Sequence, residues 1–276
     1  MNKLIVETYF ANFENYDMFA AAVEPLKAKG VGVELHIFDD PDFNRRLCAQ
    51  RTRFQDYYTT FHGPHKGVEA AAPMGSPTQE KMISAWREAY RIYRLFQGHS
   101  MVLHTNQRAF QPQEKAALQK QSIDTMNILL DMAQEQQVQV LVENVGWANT
   151  SSLLFDEDEF IALFQRLRPW ACCLIDTGHA FINRWNMERV ISALAPKIKA
   201  YHLHNNDGVK DIHRPVFGQG LFYSLEDTIK LLKIMEKYTP DADWILEYAP
   251  YQDVTPQLVV QECERLYQLL EQGILK

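Results

Sequence analysis

Along almost the whole chain, short apolar, β-branched or aromatic runs alternate with longer amphipathic stretches. The short runs predict strands over Leu4–Phe10, Gly32–Phe38, Asp56–His62, Ser100–Thr105, Val138–Asn144, Ala171–Asp176, Ile198–His204 and Asp243–Tyr248. The stretches between them predict helices. "SPTQEKMISAWREAYRIYRLFQG" opens on Ser76 and Pro77 and closes on Gly98, residues that favour a helix start and a helix stop. "QPQEKAALQKQSIDTMNILLDMAQEQ" and "TPQLVVQECERLYQLLEQG" carry the same spacing.

Eight strand–helix units in 276 residues predict an α/β chain folded as a single (β/α)8 TIM barrel, one domain over residues 1–276. An open, doubly wound sheet is the rival, but no Gly-rich phosphate turn follows the first predicted strand.

Side chains alternate along a strand, so residues two apart share a face. His202 and His204 therefore point one way, and Tyr201 and Leu203 point toward the helices. Other strands end in the same manner: His62 closes "YYTTFH", His104 closes "MVLH", Asp176 closes "CCLID", Glu143 sits in "VLVEN" and Glu247 in "WILEY". Each run is apolar until its last residue or two and then supplies an ionisable group. One such group reads equally well as a helix cap or a solvated charge. Six strands doing so predict a site at their C-terminal ends, where barrels of this kind carry their chemistry. The segment "YHLHNNDGVKDIHRP" (201–215) then adds Asp211 and His213 to the loop after one strand.

Mixed Glu, Asp and His donors suit Zn2+ or Mn2+, with Mg2+ and Co2+ also compatible, and the missing thiolates argue against a structural zinc site. Carboxylates gathered closely repel one another, and a bound cation relieves that cost. The formal charge is −7, from 28 Lys+Arg against 35 Asp+Glu, which disfavours bulk nucleic-acid binding without excluding a local patch. Arg45, Arg46, Arg51 and Arg53 in "DFNRRLCAQRTRF" read either as a grip on a nucleic-acid backbone or, with more weight, as a solvated helix face. The opening "MNKLIVETYF" is unlike a signal peptide, no run approaches membrane-spanning length, and the four cysteines show no C-x-x-C spacing. A cytoplasmic, reduced protein with no membrane partner is expected, with Cys172 and Cys173 as small buried hydrophobes.

"LVENVG", "LIDTGHAF", "HLHNNDGVKDIHRPVFGQG" and "ILEY" resemble, in order and spacing, signature segments of the xylose isomerase-like TIM-barrel superfamily. That grouping includes sugar and sugar-phosphate isomerases and epimerases, and abasic-site endonucleases of the endonuclease IV type. The resemblance covers the second half of the chain; in the first half it rests on isolated histidines. It implies a metal-binding quartet of Glu143, Asp176, His202 and Glu247. It further implies that His62 and His104 hold another metal with the bridging Glu143, and that His179, Asp211 and His213 hold a third, giving one to three ions. His204 and Asn205 are implied to orient ligands or substrate.

The resulting expectation is a divalent-metal-dependent isomerase or epimerase acting on a sugar or sugar phosphate. The metal would bind adjacent substrate oxygens and stabilise an enediolate, with Glu143 and Glu247 exchanging protons. The alternatives are an endonuclease IV-type phosphodiesterase acting on abasic DNA, and a metal-binding barrel without catalysis. Against the DNA alternative, "GPHKGVEAAAP" after His62 offers Lys66 and no aromatic, where the endonuclease branch carries an aromatic-bearing loop. Lys66, Arg108, Arg184, Lys210 and Arg214 all follow strand ends; each is either a holder of a substrate phosphate or carboxylate or an exposed loop charge. Trp147 and Trp185 either stack on a sugar ring or close the barrel top. Oligomeric state is left open.

Overall fold

The computed structural model describes residues 3–8, 16–218, 221–251 and 253–275. The strands are β1 (Leu4–Glu7), β2 (Gly32–His36), β3 (Tyr58–His62), β4 (Met101–His104), β5 (Val140–Glu143), β6 (Cys172–Asp176), β7 (Ile198–Leu203) and β8 (Asp243–Leu246). The helices are α1 (Tyr16–Lys27), α2 (Pro41–Ala49), α3 (Arg51–Phe54), α4 (Pro77–Phe96), α5 (Lys115–Glu135), α6 (Glu157–Leu163), α7 (Thr177–Ile182), α8 (Met187–Leu194), α9 (Leu225–Tyr238) and α10 (Pro256–Glu271). The strands neighbour one another in chain order, β1 through β8, in a closed parallel barrel with helices between them. The (β/α)8 expectation is thereby met, and every predicted strand run contains one observed strand. Tyr9 and Phe10, at the end of the first predicted run, lie outside the described residues, as do Gln219 and Gly220 of the quoted loop segment.

Two compact units make up the chain, one of Met1–Glu34 with Ile175–Lys276 and one of Leu35–Leu174. In the first, β1 pairs with β2 (Ile5 opposite Gly32) and with β8 (Leu4 opposite Trp244), and β7 pairs with β8 (His202 opposite Ile245). Its core is built on Ile5, Val33, Tyr201, Trp244 and Ile245, all fully buried. Tyr201 faces the helices as alternation requires, its hydroxyl 2.6 Å from Thr239 Oγ1 just past α9.

In the second unit β4 pairs with β3 and β5, and β5 with β6. The β4–β5 register sets His104 directly opposite Glu143, so two ionisable strand ends become neighbours through backbone pairing alone. Trp86 and Tyr90 of α4 are fully buried there, and the Tyr90 hydroxyl donates to Leu129 O of α5 at 2.8 Å.

Helix starts follow the expected chemistry. Ser76 caps α4 by accepting from Gln79 N, with Pro77 at the first helical position. The stop differs: Gln97, not Gly98, adopts the left-handed conformation (φ 57°). Gly98 is instead needed for close packing, since a Cβ there would lie 2.6 Å from Tyr93 Cδ2. Cys173 is buried as expected, but Cys172 is only half-buried, its thiol 3.7 Å from Trp170 O. Arg45, Arg46 and Arg51 are exposed, with Arg45 paired to Asp42 at 3.1 Å, as a solvated helix face requires.

Trp86 should be the most costly single truncation in the second unit. Its ring is fully buried and its Nε1 donates to Pro64 O at 3.1 Å. Trp86→Ala should lower unfolding stability by about 3–5 kcal/mol. Urea denaturation checks this, and a midpoint unchanged from wild type would contradict the packing described.

Candidate metal centre

In the first unit, Asp176, His202 and Glu247 stand together, all buried. Asp176 ends β6 and also caps α7, its Oδ1 accepting from His179 N at 2.7 Å. Glu247 immediately follows β8, and its Oε2 lies 3.2 Å from His202 Nδ1. On the opposite edge of that ring, His202 Nε2 lies 2.9 Å from Glu34 Oε1 of β2. A carboxylate holding the far nitrogen of an imidazole fixes its tautomer and leaves the near nitrogen's lone pair available to a cation. Glu34 was not singled out from the sequence. The signal was present, because Glu34 and His36 sit two apart at the end of β2, as His202 and His204 do on β7.

A second group in the same unit contains His179, His204, Asp211 and His213, with donor atoms mutually within 4.8 Å. Asp211 Oδ2 lies 3.2 Å from His179 Nε2 and 2.9 Å from His213 Nε2. Burial alone would raise the Asp211 carboxyl, but the two flanking imidazoles outweigh it and hold Asp211 well below the usual carboxylate range. His204 is buried, with Nε2 3.0 Å from Asp176 Oδ1 and its ring stacked on His213 at 4.0 Å. It therefore stands inside the donor group. Its Nδ1 and Asp211 Oδ1 are buried with no hydrogen-bond partner, as expected of atoms with a cation to bind. Gly178 gives this ring its room, since a Cβ there would come 1.9 Å from His204 Cε1.

Local turn chemistry aims the loop. Asn205 and Arg214 exchange both backbone hydrogen bonds at 2.8 Å, which closes the loop at its base. Inside it, Asn206 Oδ1 accepts from Gly208 N (φ 78°), and Asp207 Oδ1 accepts from Val209 N and Lys210 N. His213 adopts a left-handed backbone (φ 43°) that few side chains tolerate, and Ala249 N donates to its carbonyl at 3.0 Å. The strain turns its ring so that Nδ1 lies 3.6 Å from Glu247 Oε2 while Nε2 faces Asp211.

In the second unit, His62, His104 and Glu143 form a third group. His104 Nε2 is 2.8 Å from Glu143 Oε2 and 3.1 Å from His62 Nε2. The Gln107 amide lies 2.5 Å from His104 Nδ1, and an amide can serve either tautomer of that ring. Glu69, buried, accepts from the backbone N of both Gln107 and Arg108 and so fixes the loop after β4. Burial first, then the neighbouring imidazoles of His65, His104 and His36, push His62 well below the usual histidine range. Burial, followed by the His104 imidazole, brings His65 down to about 3. Both rings are thus neutral, the form in which imidazole binds metal. Gln107, Glu69, His36 and His65 were not anticipated; the last two follow the strand-end rule applied to β2 and the spacing of "HGPH".

The predicted substrate contacts are placed unevenly. Arg214 makes a paired contact with Asp253, 2.9 Å on one side, and covers the Tyr251 ring. Arg108 is exposed and pairs with Glu114 at 3.2 Å, while Arg184 lies over Phe222 and donates to Gly208 O. Lys66 is exposed, 5.5 Å from the Phe38 ring, so an aromatic does approach this loop, supplied by the chain after β2. Trp147 is half-buried with its backbone N donating to Ser152 Oγ, and Trp185 is buried. Among the described residues, no helix is long and apolar enough to cross a membrane.

The barrel agrees with comparison to known proteins. A family model described as xylose isomerase-like TIM barrel matches residues 16–269, and the chain belongs to that family. D-allulose 3-epimerase from Methylomonas sp., solved with D-allulose, is similar in structure: TM-score 0.73 at 14% identity, covering 97% of this chain and 96% of that one. An AP endonuclease of family 2 from Brucella melitensis has TM-score 0.73 at 17% identity, with 97% and 99% covered. The IolI protein, solved with a zinc atom, has TM-score 0.73 at 16% identity, with 96% of both chains covered. At these identities the likeness concerns the fold. No curated protein matched the chain in sequence.

Glu34 and Asp176 yield a graded expectation. Glu34→Gln keeps an acceptor for His202 and should weaken metal retention less than Glu34→Ala, which should cost roughly 10–100-fold in affinity. Asp176→Asn should lose metal on dialysis that wild type retains. Elemental analysis after dialysis reads all three, and equal metal content throughout would refute the roles given to both carboxylates.

Proposed function

We propose that the chain is a divalent-metal-dependent isomerase or epimerase of a small sugar or sugar phosphate, working as one barrel domain over residues 1–276. The observation that carries this reading is the buried gathering of Asp176, His202 and Glu247, oriented by Glu34, at successive strand ends. In this reading Glu143, which ends β5, completes a quartet with them. The donors are oxygen and imidazole nitrogen without thiolate, which fits Zn2+, Mn2+, Mg2+ or Co2+. When bound, such a cation would supply Lewis acidity toward adjacent substrate oxygens.

The chain's own residues do the rest. Glu143 and Glu247 take a proton from the carbon beside the carbonyl and return it, work that suits carboxylates held in a buried, polar setting. His202, pinned by Glu34 through Nε2, turns its Nδ1 toward Glu247 Oε2 at 3.2 Å, so that both atoms would serve one cation. His204 orients Asp176, and Lys66, Trp147 and Arg214 lie on loops that would border a polyol. Arg214 must leave Asp253 to meet a substrate phosphate, so this ion pair would compete with binding. The Zn-bearing IolI protein and the allulose-bound epimerase are compatible relatives in fold.

A second reading, cleavage of abasic DNA, is favoured by one feature: His62–His104–Glu143 and His179–His204–Asp211–His213 add two further donor groups beyond the quartet. Clustered cations serve phosphoryl chemistry. One panel decides. Metal-loaded protein should interconvert at least one ketose or aldose epimer pair, and Glu143→Gln and Glu247→Gln should each abolish that turnover with folding intact by circular dichroism. Incision of an abasic-site duplex with silence on every sugar would replace the isomerase reading with the nuclease one.

A further inference from the structure

Beside the groups already described, the second unit holds an all-imidazole set of His36, His62 and His65, whose donor nitrogens lie mutually within 4.8 Å. We infer that these three rings form a separate site for a borderline cation such as Ni2+, Cu2+ or Zn2+, which competes for His62 with the His104–Glu143 pair.

The backbone prepares the rings. Gly63 O lies 3.2 Å from His62 Nδ1 and 3.3 Å from His65 Nδ1. A carbonyl only accepts, so both Nδ1 atoms carry the proton and both Nε2 atoms keep their lone pairs. The carbonyl is itself fixed, because Gly63 N donates to Val102 O at 3.1 Å and Trp86 Nε1 holds the next carbonyl, Pro64 O, at 3.1 Å. His36 completes the set by stacking on His62 at 4.9 Å, with Phe38 supporting its other side at 5.3 Å. His65 stands edge-on to His62 at 4.5 Å and is half-exposed, which gives a cation its entry path.

Imidazole nitrogens bound to one zinc-sized ion at about 2.0–2.1 Å lie roughly 3–3.5 Å apart, so binding requires the rings to turn inward from their present separation within 4.8 Å, His36 out of its stack on His62. Three nitrogen donors without a carboxylate favour Ni2+, Cu2+ and Zn2+ over Mn2+ and Mg2+. His62 Nε2 also sits 3.8 Å from Glu143 Oε2 and 3.1 Å from His104 Nε2. Which cation is present therefore decides which side His62 serves: harder ions the Glu143 side, borderline ions the histidines. The identity of the available metal would thus determine whether the His104–Glu143 pair keeps His62 as its third donor.

The test uses the full chain, stripped of metal by a chelator, and equilibrium dialysis against Ni2+ and separately against Mn2+. In His36→Phe/His65→Phe, which keeps both ring stacks, Ni2+ affinity should fall roughly tenfold or more. Mn2+ affinity and equivalents should match wild type. Unchanged Ni2+ binding would overturn the inference and leave the rings as packing alone. Equal loss of Ni2+ and Mn2+ would also overturn it, because the rings would then only support the His104–Glu143 pair. Should the double variant unfold, His65→Phe alone, at a half-exposed position, gives the same comparison: selective loss of Ni2+ supports the site, and unchanged or equal binding overturns it. Metal binding is the readout, so the result stands apart from whether any sugar turns over.

Discussion

A carboxylate removed from water must be compensated, and Asp176 shows how much of this molecule is arranged to do so. It is fully buried at the end of β6. One oxygen accepts the backbone N–H of His179 and thereby starts α7. The same carboxylate reaches His204 at 3.0 Å and His179 Nδ1 at 3.5 Å, with His202 Nδ1 at 3.9 Å. Helix initiation and the β7 strand end thus converge on one charge, and His179 in turn reaches Asp211 of the following loop at 3.2 Å. A single residue performs the structural task of a cap and, in the proposed metal centre, the chemical task of a ligand, tasks that look mutually exclusive when read along the sequence.

Precision in these groups comes from short-range backbone devices. The β4–β5 register makes His104 and Glu143 adjacent before any side chain is considered. The Asn205–Arg214 bridge and the Asx turns at Asn206 and Asp207 bring Asp211 back over its own strand. His213 is held in a strained conformation at the point where its two nitrogens face different carboxylates. Strain of that kind persists only where the surroundings over-determine the residue, and the Ala249 hydrogen bond together with the bridge does so.

The imidazoles differ in company and therefore in chemistry. Those of the 201–215 loop are flanked by carboxylates, and the Asp211 carboxyl among them, in spite of its burial, is held well below its usual range by His179 and His213. Those of His62 and His65 are crowded by other imidazoles and by burial, and both are neutral. A chain of overall acidic composition thus carries, in one fold, oxygen-rich donor groups and a nitrogen-rich one.

How much of this was readable from the chain follows from what each feature depends on. Strand positions were legible because the barrel's apolar runs are short, local and interrupted by amphipathic helices, a pattern that survives without knowing the partner strand. Strand-end donors such as His104, Asp176 and Glu247 were legible for the same reason: alternation and position suffice. Glu34 and His36 obey that rule but lie in "GVELHIF", where the apolar residue after His36 hides the strand's end. Gln97 took the left-handed turn that Gly98 advertised, and the glycine serves instead to leave room for the Tyr93 ring. His204's place inside a donor group, the Asp253 partner of Arg214 and the shared Gly63 carbonyl depend on residues distant in sequence or on loop geometry. The sequence by itself determined the order of elements and the kinds of donor at their tips. Only the folded chain decided which tips meet, since distance between side chains is set by register, loop closure and packing that no linear spacing encodes.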